Sequence, residues 1–168
     1  MATEITAADI KQIGVIGAGQ MGNGIAHVSA LAGYDVILND ISQDQLDKAA
    51  STIEKNMARQ VLRGTIDEHE SAGAIARITS TTDMTALGMA DLVIESAIEN
   101  EQVKLEIYAG LCPLLKPETL IASNTSSISI TRLGAATDRP EKFVGMHFMN
   151  PVPMMELVEV IRGIATRQ

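Results

Sequence analysis

Apolar residues along this chain fall in short runs closed by glycine, proline or a polar residue, and longer stretches with helical spacing lie between them. Residues 11–16 read as a first strand. Residues 21–31 follow as a helix in which Gly24, Ala26 and Ala30 allow close packing on a sheet. Gly33 ends that helix and residues 36–38 form a second strand, completing a βαβ unit. Ser42 with Gln45 has the capping-box pattern and opens a long polar helix to about Arg63. Thr65 with Glu68 opens another after Gly64, so the two helices are expected as a hairpin projecting from the core. Further strands are expected at residues 77–80, 92–95, 120–122, 144–149 and 157–161, with helical stretches such as 101–115 between several of them. Strands alternating with helices imply an α/β chain with a doubly wound, mainly parallel sheet. No repeat or linker interrupts the order, and Pro151 and Pro153 mark a turn between the last two strands. The expectation is one domain over residues 1–168, ordered from about 10 to 165, after a loose tail that extends to Asp9.

Composition narrows the function classes. With 46% apolar and only 2% aromatic residues and no Trp, the core must be built from aliphatic side chains and Met. A net charge of −8 opposes nonspecific binding to nucleic acid or an anionic membrane, so neither is expected as a partner. Cys112 is the single cysteine, which excludes an intrachain disulfide; beside Pro113 it reads as a packing residue. No apolar run approaches ~20 residues, and the chain is expected to be soluble and cytoplasmic. His27, His69 and His147 have no metal-ligand spacing, so no metal is assigned.

Gly17-Ala18-Gly19-Gln20-Met21-Gly22 matches G-x-G-x-x-G directly between the first strand and the first helix, the Rossmann-type placement. The first glycine permits the tight turn, the second lets backbone approach a pyrophosphate, and the third permits close helix packing. Asp40 stands eighteen residues after Gly22 at the end of the second strand. That is close to the spacing of about 20 for an acid that binds the adenosine ribose. A carboxylate there repels a 2′-phosphate, and no Arg or Lys follows within several residues, so NAD is preferred over NADP.

More specific are Ile98-Glu99-Asn100, Ser123-Asn124-Thr125-Ser126-Ser127, and His147-Phe148-Met149-Asn150-Pro151-Val152-Pro153 leading to Leu157-Val158-Glu159-Val160-Ile161. On these residues, from about Lys11 to Ala165, the chain resembles the N-terminal domain of the 3-hydroxyacyl-CoA dehydrogenase family, including its short-chain members. The resemblance implies hydride transfer between NAD and the 3-hydroxy or 3-keto carbon of an acyl-CoA, in fatty-acid, butyrate or polyhydroxybutyrate metabolism. The residues support such chemistry on their own terms. Oxidising a secondary alcohol requires its proton to leave, an imidazole is the side chain best suited to accept it near neutral pH, and His147, at the carboxyl end of a strand, is the candidate. Glu159 on the following strand could fix its tautomer; an incidental strand-end histidine is the alternative. By resemblance, His147 is the general acid/base, Glu159 its orienting partner, and Ser126 a ligand of the substrate oxygen or the nicotinamide ribose. The same resemblance puts Glu99, Lys104, Asn124 and Asn150 around the nicotinamide half of the cofactor. A helix-start Glu99 and a solvated Lys104 are the plain alternatives. Lys48, Lys55, Arg59 and Arg63 share a helix face that is either ordinary solvated surface or a site for the phosphates of coenzyme A. The resemblance selects Asn56 and Arg63, with Ser126, as coenzyme A contacts.

The family carries a second, all-helical domain that closes over the acyl group and forms most of a homodimer interface. That domain is expected to be absent from a chain ending at Gln168, which implies NAD binding with little turnover. A noncatalytic dinucleotide-binding or structural relative, and a dehydrogenase of another 3-hydroxy acid, are the competing functions.

Overall fold

Side chains alternate across each short apolar run, and this alternation sorts the core into two layers. The structure, a computed structural model, describes residues 6–167. Among these the strands are β1 (Gln12–Ile16), β2 (Asp35–Asn39), β3 (Ile78–Thr81), β4 (Leu92–Glu95), β5 (Leu120–Ser123), β6 (Phe143–Phe148) and β7 (Val158–Arg162). The helices are α1 (Gln20–Leu31), α2 (Gln43–Leu62), α3 (Glu68–Ala76), α4 (Glu101–Leu111) and α5 (Ile130–Ala135). Ile13, Val15, Val36, Leu38, Ile94 and Ala122 face the layer closed by α1 and α2. Their neighbours Ile16, Ile37, Val93 and Ile121 face the layer that holds Tyr108 and Leu111 of α4 and Leu133 of α5. Burial on both faces is why the runs are almost continuously apolar.

The strand order is β3-β2-β1-β4-β5-β6-β7, parallel throughout except for β7, which is antiparallel to β6. The chain winds outward from β1 to β3, then returns to β4 on the other side of β1. The crevice beyond the carboxyl ends of β1 and β4 is therefore the point where ligands bind in such sheets.

The helical hairpin is present as α2 and α3, and its inner face is docked: Leu46, Ala49, Ile53 and Met57 are buried in the same layer as α1. Three local expectations need correction. The second hairpin helix is capped by Asp67 and Glu70, not by Thr65 and Glu68. Thr65 is used instead to close α2, its amide donating to Gln60 O (2.9 Å) beyond Gly64 at φ +70°. The stretch 101–115 is α-helical only to Leu111; Pro113 lacks the amide an α-helix needs, and residues 112–114 form a 3-10 turn. Of the tail expected up to Asp9, residues 1–5 lie outside the described residues. Ala7–Asp9 is a 3-10 turn closed by reciprocal Thr6 and Asp9 bonds.

His27 of α1 is fully buried, with Nε2 2.9 Å from Gln60 Oε1 of α2, and Nδ1 has no partner among the described residues. Desolvation pushes its pKa below the ordinary 6.5 by more than the Gln60 bond raises it. The folded ring is therefore neutral where the unfolded one takes a proton. The contribution is complete above about pH 6.5 and is lost as pH falls toward the folded value, by at most about 1.4 kcal/mol per pH unit. Urea unfolding of wild type and His27→Leu from about pH 7 to 5 is expected to show their stability difference shifting against wild type on acidification. A difference independent of pH would contradict this.

Candidate functional site

The turn after β1 is built where backbone meets backbone. Gly17 has φ +97°, and a Cβ there would lie 2.5 Å from Ser96 O; one on Gly22 would lie 1.6 Å from Gly17 O. These two glycines are demanded by the fold itself. Gly19 is not: its φ is −67°, and no described atom would come within 4 Å of its Cβ. The space in front of it is open, at the N-cap of α1, where the first-turn amides lack helical acceptors. That is a cradle for an anion approaching backbone, and it fits the pyrophosphate of a dinucleotide. Asp40 lies against the same turn, with Oδ2 accepting from Ala18 N (2.8 Å) and Oδ1 from Ser42 N (2.9 Å). Each oxygen keeps a lone pair for a ribose hydroxyl.

Beside the turn is a cleft of about 460 Å³, with Gly19, Gln20 and Met21 on one side and residues 96–99 along it. Asn124, Ser126, His147 and Asn150 line it too, so most of the residues expected to bind cofactor or act in catalysis converge there. His147 and Glu159 are directly opposed in the β6–β7 ladder, and His147 Nδ1 is 2.8 Å from Glu159 Oε2. The carboxylate accepts, so Nδ1 carries the proton and Nε2 is the basic nitrogen. Asn124 Oδ1 accepts from Phe148 N (2.8 Å), fixing the end of β6. Asn150 Oδ1 accepts from Gln20 Nε2 (3.1 Å), joining the segment after His147 to the glycine turn.

Glu99 organises the serine-rich loop. Its Oε1 accepts from Thr125 Oγ1, Ser126 N (3.1 Å), Ser127 N (3.3 Å) and Ser127 Oγ (3.1 Å). Partial burial pushes its carboxyl up, but the Thr125 bond, the Lys104 charge and Ser127 outweigh that and hold it below the ordinary value. Lys104 is neither a solvated residue nor part of the cleft lining. It is 1% exposed, with Nζ 2.7 Å from Glu95 Oε1 and 3.6 Å from Glu99 Oε2. Glu95 itself, read in the sequence only as the end of a strand, is fully buried among Lys104, Tyr108 and Ser123. The signal that could have found it is a charged residue closing the apolar run 92–95, with a lysine and a tyrosine four residues apart on the next helix.

A second groove of about 280 Å³ is lined by Asn56, Arg59, Gln60 and Arg63 of the first hairpin helix and its end, facing Pro151, Pro153 and Met154. Asn56 and Arg63 thus come together as expected, and Arg59 joins them; Lys48 and Lys55 do not line the groove. Among the described residues no cluster of metal-ligating side chains occurs, and no helix is long and apolar enough to cross a membrane.

Comparison with known proteins shows the family of the chain. The family described as 3-hydroxyacyl-CoA dehydrogenase, NAD binding domain, matches residues 12–168. A 3-hydroxybutyryl-CoA dehydrogenase of Bradyrhizobium diazoefficiens is 61% identical over 160 residues, covering 95% of this chain and 55% of that protein. A 3-hydroxyadipyl-CoA dehydrogenase of Escherichia coli is 43% identical over 94% of this chain and 33% of its own length. The crystal structure of (S)-3-hydroxybutyryl-CoA dehydrogenase from Ralstonia eutropha superposes with a TM-score of 0.92 at 44% identity, over 94% of this chain and 56% of that one. The chain thus spans about half the length of the first of these curated relatives.

The open space at Gly19 gives a direct test. Gly19→Ala is expected to change folding stability by no more than about 1 kcal/mol, the scale of an N-cap exchange, because its methyl meets no protein atom. NADH affinity, read by fluorescence titration, is expected to fall at least about tenfold, because the methyl occupies the phosphate approach. Unchanged affinity would remove the cradle.

Proposed function

The chain belongs to the NAD-binding domain family of the 3-hydroxyacyl-CoA dehydrogenases, and from that premise we propose that it serves hydride transfer between NAD and C3 of a short-chain acyl-CoA, the 3-hydroxybutyryl/acetoacetyl pair. The observation that carries this reading is His147, held by Glu159, in the wall of a cleft that is also lined by Gly19, Gln20 and Met21 of the glycine turn. Bound NAD supplies the hydride acceptor, and NADH the donor in reverse. In oxidation the alcohol loses a hydride from C3 and a proton from its hydroxyl, leaving the ketone. His147 Nε2 takes that proton and returns it in the reduction. Glu159 holds Nδ1–H, which fixes the ring and stabilises the imidazolium when it forms. Ser126, in the same wall, hydrogen-bonds the substrate oxygen or the nicotinamide ribose.

NAD is favoured over NADP because the Asp40 carboxylate would repel a 2′-phosphate, and residues 41–47 add two more acids, Asp44 and Asp47, with no Lys or Arg. Coenzyme A is assigned to the second groove, where Asn56, Arg59 and Arg63 offer two guanidiniums and an amide to its phosphates. Residues 151–153 connect the two sites: Asn150 lines the cleft, and Pro151 and Pro153 line the groove. The same reading assigns closure over the acyl group and the homodimer interface to a helical domain outside residues 1–168, and the setting to the cytoplasm.

His147→Gln is expected to bind NADH within about twofold of wild type but to lower the rate of NADH oxidation by acetoacetyl-CoA by about 10²–10⁴. Absorbance under single-turnover conditions reads the rate, and free acetoacetate is expected to react far more slowly than its thioester. Equal rates for the two proteins, or no oxidation of NADH by acetoacetyl-CoA with wild type, would overturn the assignment.

A further inference from the structure

We infer that Glu95 is a positioning residue for the nicotinamide half of the cleft, acting through the loops at 96–99 and 124–127 rather than by touching a ligand. The inference rests on the reading that this cleft binds NAD.

The Glu95 carboxylate is 0% exposed and accepts four hydrogen bonds. Oε1 accepts from Lys104 Nζ and Ala97 N, both at 2.7 Å. Oε2 accepts from Tyr108 OH at 2.8 Å and Ser123 Oγ at 2.7 Å. Burying two charges costs several kcal/mol each before their attraction is counted, and an apolar pair of similar volume often serves packing as well or better. Stability alone therefore gives no reason for an ion pair here. The direction of its bonds gives one.

Lys104 and Tyr108 rise from successive turns of α4 and hold the carboxylate from below, and Tyr108 is kept protonated by burial and by the Glu95 charge. The remaining bonds run into the cleft wall. Ala97 is fixed directly, while Ser123 Oγ passes the restraint on by accepting from Thr125 N (3.3 Å). Lys104 reaches onward to Ala97 O (3.5 Å) and to Glu99 Oε2 (3.6 Å). Glu99 in turn holds the amides of Ser126 and Ser127. Glu95 thus couples both loops that line the cleft, and Ser126 sits at the far end of the chain of contacts. None of these hydrogen bonds involves Asp40, Ala18 or the α1 N-terminus, so the network's polar restraint falls on the nicotinamide half.

That division sets the test. Binding of NADH and of ADP to the 168-residue chain is measured by calorimetry for wild type, Glu95→Gln and Tyr108→Phe. ADP reports the glycine turn and Asp40 alone, and NADH adds the nicotinamide half. NADH affinity is expected to weaken about tenfold in Glu95→Gln and about threefold in Tyr108→Phe, with ADP affinity within about twofold throughout, because the lost bonds order only the second half. Tyr108→Phe keeps the ring packed on Phe143, so it carries the test if Glu95→Gln does not fold. Equal weakening of both ligands would mark Glu95 as merely structural, and unchanged NADH affinity would give it no role; either overturns the inference. Wild type binding ADP but not NADH, or neither, would overturn the NAD reading and the inference with it.

Discussion

A Cβ on Gly22 would stand 1.6 Å from the Gly17 carbonyl oxygen, and one on Gly17 would stand 2.5 Å from that of Ser96, so three stretches of backbone share a space with no room for a side chain. This approach brings the end of β1, the start of α1 and the end of β4 to one point. It is the point where the strand order reverses, and the cleft opens from it. Gly19 lies within the same turn but has nothing pressed against it. The fold thus requires its outer two glycines and leaves the middle one for a ligand, which is how a purely steric arrangement becomes a binding site.

Loops released at the strand ends carry no ladder of their own, and side-chain acceptors hold them. Asp40 binds two amides, Glu95 one, Glu99 two, and Asn124 the amide of Phe148. A chain with net charge −8 looks ill suited to an anionic ligand. Several of its acids at this edge are turned onto the protein's own donors, and the α1 N-terminus presents positive potential where Gly19 leaves space. Each such bond also orders backbone before any ligand arrives, and that preorganisation reduces the cost of binding.

The sequence made the scaffold legible because its signals are local. Glycines between a strand and a helix, apolar runs of strand length, and an acid at the end of the second strand each follow from backbone geometry over a few residues. The failures have equally specific causes. Thr65 fits a capping box by composition but is used to close α2, and Asp67 takes the cap. α5, only six residues long, is too short to carry a helical period that the sequence alone would reveal. The burial of Lys104 against Glu95 is not legible, because helical spacing cannot tell a solvated lysine from one packed under a strand end. Glu95 was missed because its partners lie 9, 13 and 28 residues away, and only the packing of α4 across β4 and β5 gathers them.

The His147–Glu159 pair shows how chemistry can depend on packing remote from it. Its side chains are 24% and 52% exposed, and ion pairs so placed contribute about 0–1 kcal/mol to folding. The pair is therefore too weak to set the register of β7 on β6. A slip of one residue would put Val158 or Val160 opposite His147 and turn the carboxylate to the other face. What resists the slip is found two residues back, where Gly145 opposes Ile161. A Cβ on Gly145 would lie 2.8 Å from Ile130 Cδ1 and 3.0 Å from Ile161 Cβ, so the glycine lets α5 and the isoleucine close on it from two sides. Steric fit at that position fixes the register, and the register delivers Glu159 to the imidazole at hydrogen-bond distance. The orientation of the proposed acid/base thus rests on a contact with no polar atom in it.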